Sequence, residues 1–174
     1  MRLFRVGAVV AGLIAASLLL ASPGFANHND DDTQVGCALR IWRQGGPIFQ
    51  AGSDDDDHCT GYRGVDRIRG NGGEDYLSGL GGWDAVRGNR GDDRVQGGRG
   101  SDLVAGGKGD DKLAGGRGDD RFIGGIGHDD ICLGPGRNIV RAEDHRQDRI
   151  FGATPNDRLF LDRGDRVMER PCPL

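Results

Sequence analysis

Aromatic residues make up only 6% of this 174-residue chain, and there are just two methionines. Large side chains are too few to fill a conventional close-packed interior. Long apolar runs are equally scarce. One spans Val6 to Leu20, short for a membrane span, and nothing comparable follows. The chain holds neither H-E-x-x-H nor G-x-S-x-G, which removes two common hydrolytic signatures. Its four histidines are scattered. His58 adjoins an acidic run, His128 occupies a variable repeat position and His145 a degenerate turn, so no catalytic constellation is expected and the chain reads as a non-enzyme. No Thr-x-Thr ladder of the ice-binding kind is present. Positive charge is not in excess either. The net charge is −4, which argues against nucleic acid as a partner.

What the chain has in abundance is glycine, 33 residues of it, in a fixed pattern. The phrase G-G-x-G-x-D-x-U-x, with U aliphatic or aromatic, runs as GNGGEDYLS (70–78), GLGGWDAVR (79–87), GNRGDDRVQ (88–96), GGRGSDLVA (97–105), GGKGDDKLA (106–114), GGRGDDRFI (115–123) and GGIGHDDIC (124–132). GYRGVDRIR (61–69) leads in and LGPGRNIVR (133–141) trails out. A fixed period of this kind marks a solenoid.

Around the repeats the chain divides further. Residues 1–26 read as an export signal: Arg2 and Arg5 form the positive start, the apolar run follows, and Gly24-Phe25-Ala26 offers small residues for cleavage. Removing two arginines makes the mature chain more acidic still. Residues 27–60 read as a polar leader and a disulfide-closed cap, in which Cys37 to Arg43 alternates, Gly45-Gly46-Pro47 turns and Ile48-Phe49 resumes as a hairpin. A solenoid needs such a cap to cover its open strand edge. Residues 61–141 are the repeats, and 142–174 degenerate terminal coils with a C-terminal cap. In that tail Asp148-Arg149-Ile150, Asp157-Arg158-Leu159 and Asp165-Arg166-Val167 keep the aspartate-x-apolar kernel while the glycines disappear. Cys37, Cys59, Cys132 and Cys172 form an even set in an exported chain, which predicts disulfides with three possible connectivities. Position along the chain favours Cys37–Cys59 and Cys132–Cys172.

The phrase explains its own shape. Glycines at positions one, two and four allow a tight turn. The last three residues are extended, with position eight pointing one way and positions seven and nine the other. Position eight holds Ile68, Leu77, Val86, Val95, Val104, Leu113, Phe122, Ile131 and Val140. Two phrases make one coil, and stacked coils pair their strands into two parallel sheets. The interior is thin, one apolar side chain in nine, too little to offset the ordering of nine residues unaided. Stacking also sets Asp75 beside Asp93, Asp84 beside Asp102, Asp93 beside Asp111, Asp102 beside Asp120 and Asp111 beside Asp129. A hard dication between the turns answers both problems. Calcium accepts six to eight oxygens in flexible geometry, whereas magnesium wants a tighter octahedron.

These repeats resemble the RTX (hemolysin-type) calcium-binding nonapeptide, a known solenoid-forming repeat. The resemblance is strong over 61–132 and weaker over 133–168. It implies an all-β fold, a right-handed parallel β-roll or two-sheet β-solenoid of about six 18-residue coils with a small N-terminal cap. It implies several bound Ca2+ ions, with Asp66, Asp75, Asp84, Asp93, Asp102, Asp111, Asp120 and Asp129 as bridging ligands. Glu74, Asp92, Asp110 and Asp119, at position five, are expected helpers. Asn138 replaces the acid in the ninth phrase, so the site it shares with Asp120 is expected to be weak or absent. A cleavable N-terminal signal and the lack of a separate catalytic domain set the chain apart from the large exotoxins and exoenzymes that carry this repeat. The expected protein is a secreted, non-catalytic calcium-binding β-roll with no membrane span after signal removal, of unknown oligomeric state. A second reading is calcium-dependent adhesion to an anionic extracellular polysaccharide. Stacking would align Arg90 with Lys108 and Arg99 with Arg117 in basic stripes.

Overall fold

The computed structural model describes residues 35–41 and 48–173. The expected signal segment, most of the polar leader and the turn at Gly45-Gly46-Pro47 lie outside the described residues. Among the described residues there is no helix, hence none long and apolar enough to cross a membrane.

The strands are short and evenly spaced, as a nine-residue period requires. They are β1 (Val35–Gly36), β2 (Ala38–Ile41), β3 (Ile48–Ala51), β4 (Asp57–Thr60), β5 (Asp66–Asn71), β6 (Tyr76–Gly81), β7 (Ala85–Arg90) and β8 (Arg94–Arg99). They continue as β9 (Leu103–Lys108), β10 (Lys112–Arg117), β11 (Arg121–Ile126), β12 (Asp130–Cys132), β13 (Ile139–Ala142), β14 (Arg149–Phe151), β15 (Arg158–Leu161) and β16 (Arg166–Met168). From β4 onward, successive strands fall in alternate sheets. The first sheet runs β1-β4-β6-β8-β10-β12-β14-β16, and the second runs β15-β13-β11-β9-β7-β5-β3-β2. Every pairing is parallel except the antiparallel hairpin of β2 and β3. The result is a β-solenoid of about 7 turns, each of about 18 residues.

Strand alternation buries the position-eight residues between the sheets. Ile68 pairs with Val86, Val86 with Val104, Val104 with Phe122 and Phe122 with Val140 in the second sheet. Leu77, Val95, Leu113, Ile131 and Ile150 form the matching column in the first. All are at most 1% exposed. Through the glycine-rich repeats the core is a single file from each sheet, and toward the C-terminal end Leu133 and Ala142 add to it.

The stack is longer than the expected six coils. Residues 52–60, GSDDDDHCT, were expected within the cap, yet they hold the same register. Asp57 takes position six, and Cys59 takes position eight opposite Leu77. Ser53 and Asp55 replace two of the turn glycines, and this hid the phrase. The hairpin of β2 and β3 covers the end of the second sheet beyond it. Cys37 bonds to Cys59 with their Cα atoms 5.3 Å apart, tying the leader to this first coil. Cys132 on β12 bonds to Cys172, Cα atoms 5.7 Å apart, and holds the tail against the stack.

Backbones at the turns approach so closely that some glycines cannot be replaced. At Gly100, φ is +131°, and an added Cβ would collide with the Gly82 carbonyl of the coil before. This close approach lets the Gly82 N–H donate to Arg99 O at 2.7 Å, one of the bonds that join turn to turn.

Candidate metal centres at the stacked turns

The position-six aspartates form a continuous ladder along both turn edges. Each points one oxygen, Oδ1, at the coil before it. Asp84 Oδ1 accepts the backbone N–H of Asp66 at 2.8 Å, Asp93 Oδ1 that of Asp75 at 2.9 Å, and Asp102 Oδ1 that of Asp84 at 2.8 Å. Asp111, Asp120 and Asp129 repeat the contact with Asp93, Asp102 and Asp111, each at 2.9 Å. These carboxylates are therefore structural acceptors, and all are at most 3% exposed.

Their second oxygens have no such partner. Oδ2 of Asp75, Asp84, Asp93, Asp102, Asp111, Asp120, Asp129 and Asp148 is buried and accepts no hydrogen bond. Each oxygen of the repeat turns lies against the position-one glycine of its own turn. A Cβ built on Gly79 would sit 2.5 Å from Asp84 Oδ2 and 2.6 Å from the Gly97 carbonyl oxygen. One built on Gly97 would sit 2.6 Å from Asp102 Oδ2 and 2.8 Å from Gly115 O. A buried carboxylate oxygen and a carbonyl from the next coil thus converge on the space a side chain would fill. Among the described residues no three His, Cys, Asp or Glu side chains come together as a metal site. Donors at these turns would be one or two carboxylates completed by main-chain carbonyls. That all-oxygen set fits a hard cation of flexible coordination, calcium before any other.

The electrostatics of the bare site agree with this. Burial lifts the Asp75, Asp84 and Asp129 carboxyls from 3.8 to about 7, against the lowering effect of the N–H each accepts. Asp111 is lifted by burial to about 8, with Asp129, Asp93 and Asp92 adding repulsion. Asp93, Asp120 and Asp148 reach about 6 and Asp102 is also raised, burial again leading. A buried carboxylate with one unpaired oxygen is costly when ionised, and a bound cation removes that cost.

The structure sorts the expected ligands. Seven of the eight, Asp75 to Asp129, share the arrangement above. Asp66 differs: its Oδ2 accepts the Tyr62 N–H at 2.7 Å, so its turn is closed by the protein itself. Asp148 joins the set although its phrase has lost its glycines; its Oδ1 accepts the Asp129 N–H at 2.8 Å. Asp57 was missed as well. It is buried and its Oδ1 lacks a partner, while Ser53 donates from both N–H and hydroxyl to its Oδ2. The signal was available in Gly52-x4-Asp57-x-Cys59, one period upstream of Gly61-x4-Asp66-x-Ile68. At the other end Thr154 caps Asp157 Oδ2 through its N–H at 2.7 Å and its hydroxyl at 2.9 Å. Asn138 keeps the ladder, accepting the Asp120 N–H at 3.0 Å, but its amide nitrogen donates to Gly134 O at 3.2 Å. No orphaned oxygen remains in that turn.

The expected helpers at position five have a different place. Asp92 and Asp110 are exposed, and their Oδ1 atoms accept the N–H groups of Asp110 and His128, each at 2.8 Å. Asp119 accepts the Arg137 N–H at 2.9 Å and pairs with its guanidinium at 3.2 Å. Those contacts, the backbone one first, hold its carboxyl below the usual range. Glu74 is exposed and donates its own N–H to Asp56 Oδ1 at 2.6 Å. This second ladder runs along the outside of the turns.

A family model described as the RTX calcium-binding nonapeptide repeat matches the chain in four copies, over residues 51–84, 60–95, 78–113 and 106–140. Together these span just over half of its length. Comparison with curated proteins finds no match.

Proposed function

The chain belongs to the RTX calcium-binding nonapeptide repeat family, and on that premise we propose that it is a secreted, non-catalytic protein whose β-roll is completed by several calcium ions. The observation that carries this reading is the column of buried Oδ2 atoms, from Asp75 to Asp129 and again at Asp148, that no protein group satisfies. These residues, with neighbouring turn carbonyls, are the ones that would hold the metal. Calcium supplies positive charge where the fold has gathered negative charge without an answer. Binding and folding are then coupled, because the unfolded chain brings no such oxygens together.

The terminal turns sit outside this scheme. Tyr62 and Thr154 satisfy Oδ2 of Asp66 and Asp157 by hydrogen bonds, Asn138 closes its turn through its amide, and Ser53 satisfies Oδ2 of Asp57, leaving only its Oδ1 unpaired. The metal requirement falls on the middle of the stack, between ends held by Cys37–Cys59 and Cys132–Cys172. Export rests on the apolar N-terminal segment and on the disulfides, which persist in oxidising surroundings.

The test is a calcium titration of the metal-free mature chain followed by far-UV circular dichroism, with magnesium alongside. Strand signal should appear cooperatively with calcium and not with equal magnesium. Metal-free protein that already shows the full spectrum, and binds no calcium by calorimetry, would end the reading. Mass spectrometry of exported protein should find Asn27 at the N-terminus.

A further inference from the structure

The outer face of the second sheet is unlike the rest of the molecule. Its outward positions, seven and nine of alternate repeats, place six arginines on one surface: Arg67, Arg69, Arg87, Arg121, Arg141 and Arg158. Between Arg67 and Phe160 the remaining outward positions of this sheet are alanine, leucine, isoleucine or phenylalanine, with no acid among them. The chain as a whole has a net charge of −4, so this is a local concentration against the general sign.

The arginines form two groups. Arg67 and Arg69 alternate along β5, and Arg69 is directly opposite Arg87 on β7. Arg121, Arg141 and Arg158 lie on three successive strands, β11, β13 and β15. Like charges facing each other across a ladder are destabilising. Among the described residues none of the six takes part in an ion pair. The first sheet behaves differently. There Asp130 interrupts the basic column, and Arg149 grips it with two hydrogen bonds of 2.6 Å. Two of the second-sheet guanidiniums have no acid and lie over aromatic rings, Arg67 at 5.2 Å from the Phe49 centroid and Arg141 at 5.9 Å from that of Phe160. Such stacking orients the fork and leaves its N–H edges free for an anion.

We propose that this face docks a linear acidic polysaccharide, carboxylated or sulfated, lying along the stack. The two arginine groups would take its anionic substituents through charge-assisted, bidentate hydrogen bonds. Leu103 on β9 between the groups, with Ile123 and Ile139 among the second group, would receive the apolar faces of the sugar rings. Rung spacing puts Arg67 and Arg158 about 24 Å apart along the stack, the reach of a short oligosaccharide. A thin chain suits the site because one flank is acidic: Glu74, Asp92 and Asp110 line the turns that follow these strands. A duplex nucleic acid would overhang that flank. A lipid surface would call for a cluster of protruding apolar side chains, whereas here Leu103 and Ile139 are half-buried and only Ile123 and Phe160 stand exposed, on separate strands beside arginines.

The test uses the full mature protein in saturating calcium, each sample first shown by circular dichroism to be folded. Failure here is thereby separated from failure of the calcium reading. Calorimetry with heparin and hyaluronan decasaccharides should show binding that weakens with salt. The paired variants Arg69→Glu with Arg87→Glu, and Arg141→Glu with Arg158→Glu, should each weaken it about tenfold or more. Arg94→Glu with Arg166→Glu, on the opposite sheet, should change it by less than about twofold. If a glutamate pair prevents folding, the glutamine versions replace it. Second-sheet variants that bind like the parent would overturn the proposal. So would equal retention of neutral dextran, or tighter binding of duplex DNA or phosphatidylglycerol vesicles than of either polysaccharide.

Discussion

Asp92 and Asp93 are neighbours in the chain and reach in opposite directions along the stack. Asp93 Oδ1 accepts the N–H of Asp75 in the coil before, and Asp92 Oδ1 accepts the N–H of Asp110 in the coil after. One ladder is buried and leaves an oxygen over; the other is exposed and laces the outside of the turns. The same pair recurs at Asp110 and Asp111. Under the proposed function, position six therefore has two separable duties, accepting an N–H and holding a metal.

Those duties separate experimentally at Asp93. Asp93→Asn keeps an acceptor for the Asp75 N–H, as Asn138 does for Asp120, and removes the buried charge. It should lower the number of calcium ions bound while leaving the metal-free chain no less ordered than before. Asp93→Ala removes both, and should cost about 1–3 kcal/mol in chemical denaturation for the buried N–H left unpaired. Equal calcium stoichiometry in wild type and the asparagine variant would remove Asp93 from the ligand set.

Gly97 tests the cradle. Its φ is not in the left-handed region, so an alanine there acts through space alone. The added methyl would press on Asp102 Oδ2 and the Gly115 carbonyl. We expect Gly97→Ala to destabilise by about 1–3 kcal/mol, and to weaken calcium more than Ser101→Ala on the same turn. A variant that titrates like the parent would show that this space takes no part in binding.

Acidity should stabilise the metal-free protein. The native carboxyls of Asp75, Asp84, Asp111 and Asp129 hold protons up to about 7 or 8, while the unfolded chain releases them near 3.8. Between those values the folded state binds more protons than the unfolded one, so stability falls as pH rises. Resin-stripped protein should therefore carry more strand signal by circular dichroism near pH 5 than near pH 8. Calcium competes for the same oxygens, so its affinity should rise over that interval. Strand signal that grows from pH 5 to pH 8 without metal would contradict the burial of these groups.

The interior is single file, so one deletion should be felt along the whole stack. Leu113 is fully buried between Val95 and Ile131. Leu113→Ala should cost about 2–5 kcal/mol with calcium present, measured by thermal or denaturant unfolding. A loss under about 1 kcal/mol would mean that the metal, and not this core, carries the stack.

Much of this was legible in the chain because the repeat is local. The period of nine, the apolar residue at position eight and the turn glycines specify strand, turn and facing without long-range information, which is why Ile68 through Val140 could be read as core. The ends were harder. Ser53 and Asp55 erased the glycine signal around Asp57, the phrase around Asp148 kept only its aspartate-x-apolar kernel, and that around Asp157 kept the kernel and a single glycine, Gly152. Register with the neighbouring coil, invisible until the coils are stacked, restores them.

The sequence by itself determined the coil, because each phrase carries its own turn and its own buried side chain. Only the stacking of coils decided which aspartate oxygens were satisfied. Oδ1 of Asp102 finds its partner 18 residues away at Asp84, and Oδ2 finds none. Stacking likewise brought Arg69 opposite Arg87. Contacts across the period depend on what the neighbouring rung presents, and a single nonapeptide holds no record of that.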